Sequence, residues 1–267
     1  VKRLTDLQDL GGRVAVVTGG AGRLGLAFGE VLTELGASVV VVDVDLEASR
    51  TRAEHLARHA GVPCHAVAAD LSDPAQPARI VNETIERFGR LDVLVNNAAF
   101  TGSSALEGWA VPFAEQRLPA WEGALRVNLT APFLLTQAAA PALAASGRGS
   151  VINIGSIYGV VGPNFGLYAD TTMGNPAAYA ATKGGLLNLT RYLATALAPH
   201  VRVNAISPGG IAAGQPAIFR QRYEASTPLR RMGEPEDFKG VLAFLATDAS
   251  AWMTGQDILV DGGWTAW

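Results

Sequence analysis

Tyr179 and Lys183 stand four residues apart in Tyr179-Ala180-Ala181-Thr182-Lys183, a spacing that sets a phenol and an ammonium on one face of a helix. A phenol ionises near pH 10 and is a poor base at neutral pH. A neighbouring cation stabilises the phenolate, which is how a tyrosine becomes an acid/base group. The same spacing is common in exposed pairs that do no chemistry, so the motif has to be weighed with its company.

A second cluster lies near the start of the chain. Thr18-Gly19-Gly20-Ala21-Gly22-Arg23-Leu24-Gly25 falls where the β-branched run Val14 to Thr18 gives way to a helical stretch, Leu24 to Gly36. Glycine has mechanical uses there. Gly19 permits the tight turn, Gly22 lets the backbone approach a pyrophosphate, and Gly25 lets helix and strand pack closely. The helix N-terminus opening at Arg23 and Leu24 supplies amides and positive potential. Such turns also occur without a ligand, and the next strand adds the second half of the pattern. Asp43 ends the run Val39 to Asp43, close to the spacing of about 20 residues at which an acidic group meets an adenosine ribose. A carboxylate there accepts from the ribose hydroxyls and repels a 2′-phosphate, favouring NAD over NADP. Arg23 pulls the other way, since it is placed to face a 2′-phosphate. Asp43 also reads as a helix cap, a task for which Asp45 is better placed.

These groups meet only if the chain between them is regular. Short apolar runs alternate with helical stretches: Leu46 to Ala60, Cys64 to Asp70, Pro74 to Gly89, Leu91 to Asn96, Pro119 to Ala145, Val151 to Gly155, Ala177 to Ala198 and Val201 to Ser207. That order predicts an α/β fold of Rossmann type, a doubly wound parallel sheet in three layers, forming a single domain over 1–267. The run Val39-Val40-Val41-Val42 implies strands buried on both faces. Phe100 to Leu118 and Tyr158 to Pro176 interrupt the rhythm; both follow strand ends, where the ligand crevice of such a sheet lies.

Composition narrows the classes. With 267 residues, 49% of them hydrophobic, the chain can fill a large core. A net charge of -3 offers no basic surface for nucleic acid. A lone cysteine, Cys64, forms no internal disulfide and fits a reducing compartment. The histidines show no metal-ligand spacing; His55 and His59, four apart, read as a solvated helix face, so no metal is expected. No run of about 18 apolar residues occurs, and residues 1–10 read as an N-terminal extension without a signal-peptide core. A cytoplasmic protein with no membrane partner is expected.

Taken in order, the motifs resemble the short-chain dehydrogenase/reductase family, in its classical branch, over about Gly11 to Trp264. They are the glycine turn, Asp70-Leu71, Asn96-Asn97-Ala98-Ala99, Val127-Asn128, Gly155-Ser156, Tyr179 with Lys183, Asn204 to Gly209, and Val260-Asp261-Gly262-Gly263. The resemblance implies Tyr179 as general acid/base and Ser156 polarising the substrate oxygen. Lys183 would lower the Tyr179 pKa and hold the nicotinamide ribose, and Asn128 would anchor a water in the proton relay. It places Asp70 and Leu71 at the adenine, Asn97 and Ala98 along the cofactor, and Pro208, Gly209 and Ile211 at the nicotinamide. Read singly, Asn128 also serves as a backbone partner and Ser156 as a turn cap. A homotetramer is implied, built through the helix near Trp121 and the helix carrying Tyr179, with the C-terminal strand region contributing.

The sequence also departs from that pattern. Arg23 stands where the classical branch usually has glycine, and Gly19, Gly22 and Gly25 match the spacing of the extended branch of epimerases and dehydratases. Ser156 and Tyr179 are 23 residues apart, against the family's usual dozen or so, which marks residues 159–176 as an insertion beside the pocket. Its Asn164, Tyr168, Asp170, Thr171, Thr172 and Asn175 suit a hydroxylated substrate; an oligomer contact or a surface loop is the other reading. Ala99 replaces a glycine, and no threonine follows Pro208-Gly209. Residues 212–227 are expected to form a substrate lid with Pro216, Phe219 and Tyr223 as apolar contacts, and Arg220 and Arg222 to lie in a solvated loop. The expected function is hydride transfer between a nicotinamide and a secondary alcohol or ketone, a polyol or sugar derivative among the candidates. An NAD-dependent sugar-nucleotide epimerase and a non-catalytic NAD sensor are the alternatives.

Overall fold

Valine-rich runs build the centre of the molecule. In the computed structural model, which describes every residue except Gly102, Ser103 and Ala105, β1 (Val14–Thr18), β2 (Ser38–Asp43), β3 (Cys64–Ala68), β4 (Val93–Asn96), β5 (Gly149–Ile154), β6 (Val201–Pro208) and β7 (Asp257–Val260) form one parallel sheet. The strand order is β3-β2-β1-β4-β5-β6-β7. Side chains alternate across it with period 2. Val39 and Val41 join one apolar cluster with Phe28, Leu32, Leu56 and Leu242, while Val40 and Val42 join the other with Ile80, Leu135, Leu143 and Leu193. One layer therefore comes from α2 (Arg23–Glu34), α3 (Leu46–Ala60) and α9 (Lys239–Ala246), and the opposite one from α4 (Gln76–Phe88), α6 (Ala131–Ala145) and α7 (Ala177–Ala196). Each fully buried valine is worth about 1.5–3 kcal/mol over exposure, so slipping β2 out of the sheet would forfeit most of the fold's margin.

Three details differ from expectation. The stretch Pro119 to Ala145 is not one regular helix: α5 (Leu118–Leu125) runs into a π-helical turn, Arg126–Thr130, before α6. The cause lies in Pro132, which has no N–H for the carbonyl of Asn128 four residues back and crowds it with its ring. Residues 212–227 are not all loop, since α8 (Ala217–Ser226) starts directly after Pro216. Phe219 and Tyr223, one turn apart, anchor it against Leu167 and Met232. Finally, the N-terminal extension includes a short helix, α1 (Leu4–Gln8), followed by the fully buried Leu10. The interruption from Phe100 to Leu118 includes the residues outside the described set; its described part buries Trp109 against Ala120, Ala124 and Ala178.

Candidate active site

Connections leave β1 and β4 in opposite directions, so the crevice beyond the carboxyl ends of the strands opens between them. The glycine turn sits on its rim. Gly19 has φ +60°, and a Cβ there would lie 2.9 Å from Ala98 Cα and 3.0 Å from Asn97 Nδ2. A Cβ on Gly25 would lie 2.2 Å from Gly19 O. Only glycine lets this turn close against the end of β4. Gly22 precedes α2 with no side chain capping the helix amides, so the N–H groups beginning at Arg23 and Leu24 are available to an anion.

Asn97 and Ala98 hold the turn in place. Asn97 Nδ2 donates to Thr18 O and Gly19 O at 2.9 and 3.1 Å, and Thr18 Oγ1 accepts from the amides of Asn97 and Ala98 at 3.0 and 3.1 Å. Thr18 is thus a positioning residue that sequence reasoning passed over. At the end of β2, Asp43 accepts from Ala21 N at 3.2 Å and from Val44 N at 2.8 Å. The carbonyl of Asp43 accepts from Ala69 N at 2.8 Å, which brings the exposed Asp70 and the buried Leu71 alongside. As expected, Asp45 rather than Asp43 caps α3, through Ala48 N. The Arg23 guanidinium donates to Ala212 O and lies 3.5 Å from the Glu234 carboxylate.

The crevice deepens into a cavity of about 570 Å³ where β5, α7 and the end of β6 converge. Leu24, Asn97, Ser156, Tyr179, Lys183, Pro208, Gly209 and Ile211 all line it. Ser156 follows β5, 5% exposed, and its Oγ accepts from Tyr158 N at 3.1 Å, so it does cap a turn while facing the cavity. Tyr179, in the first turn of α7, is half-buried and lines the same cavity as Ser156. Burial pushes its phenol above the ordinary value of 10.0, and the neighbouring Ser156 hydroxyl offsets part of that rise. Lys183 lies one turn further along α7, its Nζ 5.7 Å from the Tyr179 ring centroid and donating to Ile154 O at 2.6 Å. Desolvation lowers its pKa from 10.5 to about 8.

Asn128 sits behind this group rather than in the cavity wall. Its Oδ1 accepts from Phe100 N at 2.7 Å, and its Nδ2 donates to Phe100 O at 3.0 Å and to Thr182 Oγ1 at 3.3 Å. The side chain therefore braces the segment after β4 against α7. The insertion and the lid complete the far wall. Tyr168 packs on Phe219 at 5.4 Å between centroids, Phe219 on Tyr223 at 6.1 Å, and Tyr223 on Trp264 at 4.5 Å. Arg222 binds Ala169 O and, at 3.1 Å, Asp170 Oδ2, while Arg220 pairs with Glu224; neither is loose in a solvated loop. Tyr158, Met173, Gln215 and Met232 also line the cavity and were not foreseen. They come from segments without periodicity, and only the Phe219/Tyr223 spacing carried a readable signal.

The cradle suits a dinucleotide: a bare helix N-terminus for pyrophosphate, a carboxylate one strand over, and a tyrosine–lysine pair at the other end. A family model described as enoyl-(acyl carrier protein) reductase matches residues 20–265. The chain is 37% identical over 259 residues to a cis-4-hydroxycyclohexanecarboxylate dehydrogenase of Sinomonas cyclohexanicum, covering 95% of this chain and 97% of that one. Among solved structures it is similar to a gluconate 5-dehydrogenase from Burkholderia cenocepacia in complex with NADP and tartrate (30% identity, TM-score 0.88, 99% and 100% of the two chains). It is also similar to an NAD+-bound xylitol dehydrogenase (30% identity, TM-score 0.84, 95% and 99%). With motifs, topology and relatives in agreement along nearly its full length, the chain belongs to the classical branch of the short-chain dehydrogenase/reductase family, NAD(P)-dependent oxidoreductases of CH–OH groups.

Proposed function

We propose that the chain interconverts a secondary alcohol and its ketone with NAD(H) as the preferred cofactor, and that Ser156, Tyr179 and Lys183 handle the substrate oxygen and its proton. The observation that carries this reading is the convergence of those three side chains on one cavity with Pro208, Gly209 and Ile211. A bound nicotinamide supplies the hydride acceptor or donor. Ser156 Oγ and Tyr179 Oη bind the carbinol oxygen, and Tyr179 takes its proton during oxidation or returns it during reduction. The Lys183 ammonium favours the phenolate and holds the nicotinamide ribose. The Asn128 carbonyl, denied an N–H by Pro132, holds the water through which the proton reaches solvent.

Gly19, Gly22, Gly25 and the amides of Arg23 and Leu24 hold the pyrophosphate, Asp70 and Leu71 the adenine, and Asn97 and Ala98 the intervening wall. Asp43 supports NAD over NADP because a 2′-phosphate would meet its carboxylate while Arg23 is engaged with Ala212 and Glu234. The insertion 159–176 and the lid 212–227 form the substrate end. The single cysteine accords with a cytoplasmic site of action. Among the described residues no helix is long and apolar enough to cross a membrane.

The test is a panel of secondary alcohols and polyols read by absorbance of reduced nicotinamide, with NAD and NADP in parallel. Turnover is expected faster with NAD, with the preference narrowed in Asp43→Ala. Tyr179→Phe should lose at least about a hundredfold in kcat while still binding NAD. Near-normal rates in Tyr179→Phe would refute the assignment.

A further inference from the structure

The cavity carries a second set of polar groups for which the proton relay has no use. Tyr158 Oη and Tyr168 Oη lie 2.9 Å apart, and Asn175 Nδ2 donates to Tyr168 Oη at 3.3 Å. All three residues line the same cavity as Ser156 and Tyr179. Asn175 is 8% exposed, and its Oδ1 is buried with no hydrogen-bond partner among the described residues. A buried amide oxygen left unpaired is costly, and Asn175 is among the residues lining a ligand-sized cavity, which points to a donor that arrives with the ligand.

The network is braced by its neighbours. Tyr168 is wedged against Phe219, whose neighbours Tyr223 and Trp264 are themselves stacked, and the adjoining Asp170 is tied to Arg222 on α8. Burial and the proximity of Tyr168 hold the Tyr158 phenol far above its ordinary value, so it stays protonated and keeps a hydrogen to share with Tyr168. Charge is the other constraint. Lys183 is the only charged residue among the described ones lining the cavity, and its ammonium donates to Ile154 O and, on the proposed reading, serves Tyr179 and the nicotinamide ribose with its remaining hydrogens. A carboxylate brought here would lose its hydration without gaining a free counter-ion.

We propose that Asn175 Oδ1, positioned by Tyr168 and Tyr158, accepts a hydrogen bond from a second hydroxyl of the substrate, so that the site selects an uncharged diol or polyol over a simple alcohol or a hydroxy acid. This rests on the reading of Ser156 and Tyr179 as the groups at the reacting carbon. The 159–176 insertion is then a specificity element whose Tyr168, together with Tyr158 just before it, holds the acceptor in place.

The experiment compares kcat/KM with NAD for cyclohexanol, the 1,2-, 1,3- and 1,4-cyclohexanediols and 4-hydroxycyclohexanecarboxylate. It uses the intact enzyme and its Asn175→Leu, Asn175→Gln and Tyr168→Phe variants, each checked for an unchanged melting transition. The best diol should exceed cyclohexanol by about tenfold or more and should exceed the carboxylate. Asn175→Leu should bring the diol-to-alcohol ratio close to one, chiefly through KM. Tyr168→Phe should lower the ratio by less, and Asn175→Gln should restore part of it. If Asn175→Leu fails to fold, Tyr168→Phe and Asn175→Gln carry the same comparison. A ratio near one in the unmodified enzyme, a ratio unmoved by these variants, or a preference for the carboxylate overturns the subsite and leaves the alcohol dehydrogenase reading standing. No turnover with any of these alcohols counts against both.

Discussion

Lys183 shows how a single residue trades stability for chemistry. It is 3% exposed, and desolvation lowers its pKa from 10.5 to about 8. Between those values the unfolded chain still binds a proton that the folded chain has released, so stability rises with pH across that window. Below about pH 8 both states are protonated, and the fold carries the full cost of the buried ammonium, on the order of 3 kcal/mol. Lys183→Met should therefore melt at a higher temperature at pH 7 and lose the rise between pH 8 and 10.5. Its kcat should fall about a hundredfold or more. Denaturation followed across that pH range checks this, and a less stable Met variant at pH 7 would count against it. At this scale much of the site was legible in the sequence, because Tyr179 and Lys183 form a local helical pair and Asp43 ends a valine run. Thr18, Tyr158 and Met232 were not, since their roles depend on contacts between segments remote in sequence.

At the scale of elements, the π-helical turn between α5 and α6 is the feature that periodicity could not reveal, although its cause, Pro132, was in plain view. A proline inside an apolar helical pattern reads as a kink or a first-turn residue; which one depends on whether neighbouring helices hold the turn open. Here Asn128 does so by clasping Phe100 and Thr182. Pro132→Ala would restore an N–H toward the Asn128 carbonyl and let the turn relax into α-helix. The expected outcome is a several-fold loss in kcat with KM for NAD little changed, measured by steady-state kinetics. Unchanged kcat would remove that carbonyl from the proton path. The strands were easy to read because burial on both faces leaves them almost uninterruptedly apolar. The helix α8 was obscured by Gly214, Pro216 and two arginines and was expected as a lid, although its Phe219/Tyr223 spacing fits one helical turn.

For the whole molecule, the doubly wound order puts the glycine turn and the tyrosine–lysine helix at the same edge of one sheet, which is why residues as far apart in sequence as Leu24, Tyr179 and Ile211 line a single cavity. The outer faces of α6 and α7 expose Phe133 and Tyr192, around a groove that also includes Leu129 and Leu189. Trp121 on α5 and Leu259 on β7 are exposed as well. Apolar side chains grouped this way support the proposed homotetramer through the long helices and the C-terminal strand. Sedimentation should give a four-chain mass that Phe133→Asp with Tyr192→Asp reduces; a monomer in the unmodified protein would refute it. The central claim concerns where the hydride goes, and it is tested most directly by isotope transfer. A secondary alcohol or diol deuterated at the carbinol carbon is turned over with NAD, and the reduced nicotinamide is recovered and analysed for deuterium. The account predicts one deuterium per turnover at the nicotinamide C4 position, and no transfer with Tyr179→Phe. Substrate converted to an epimer while the nicotinamide pool remains oxidised and unlabelled would contradict it.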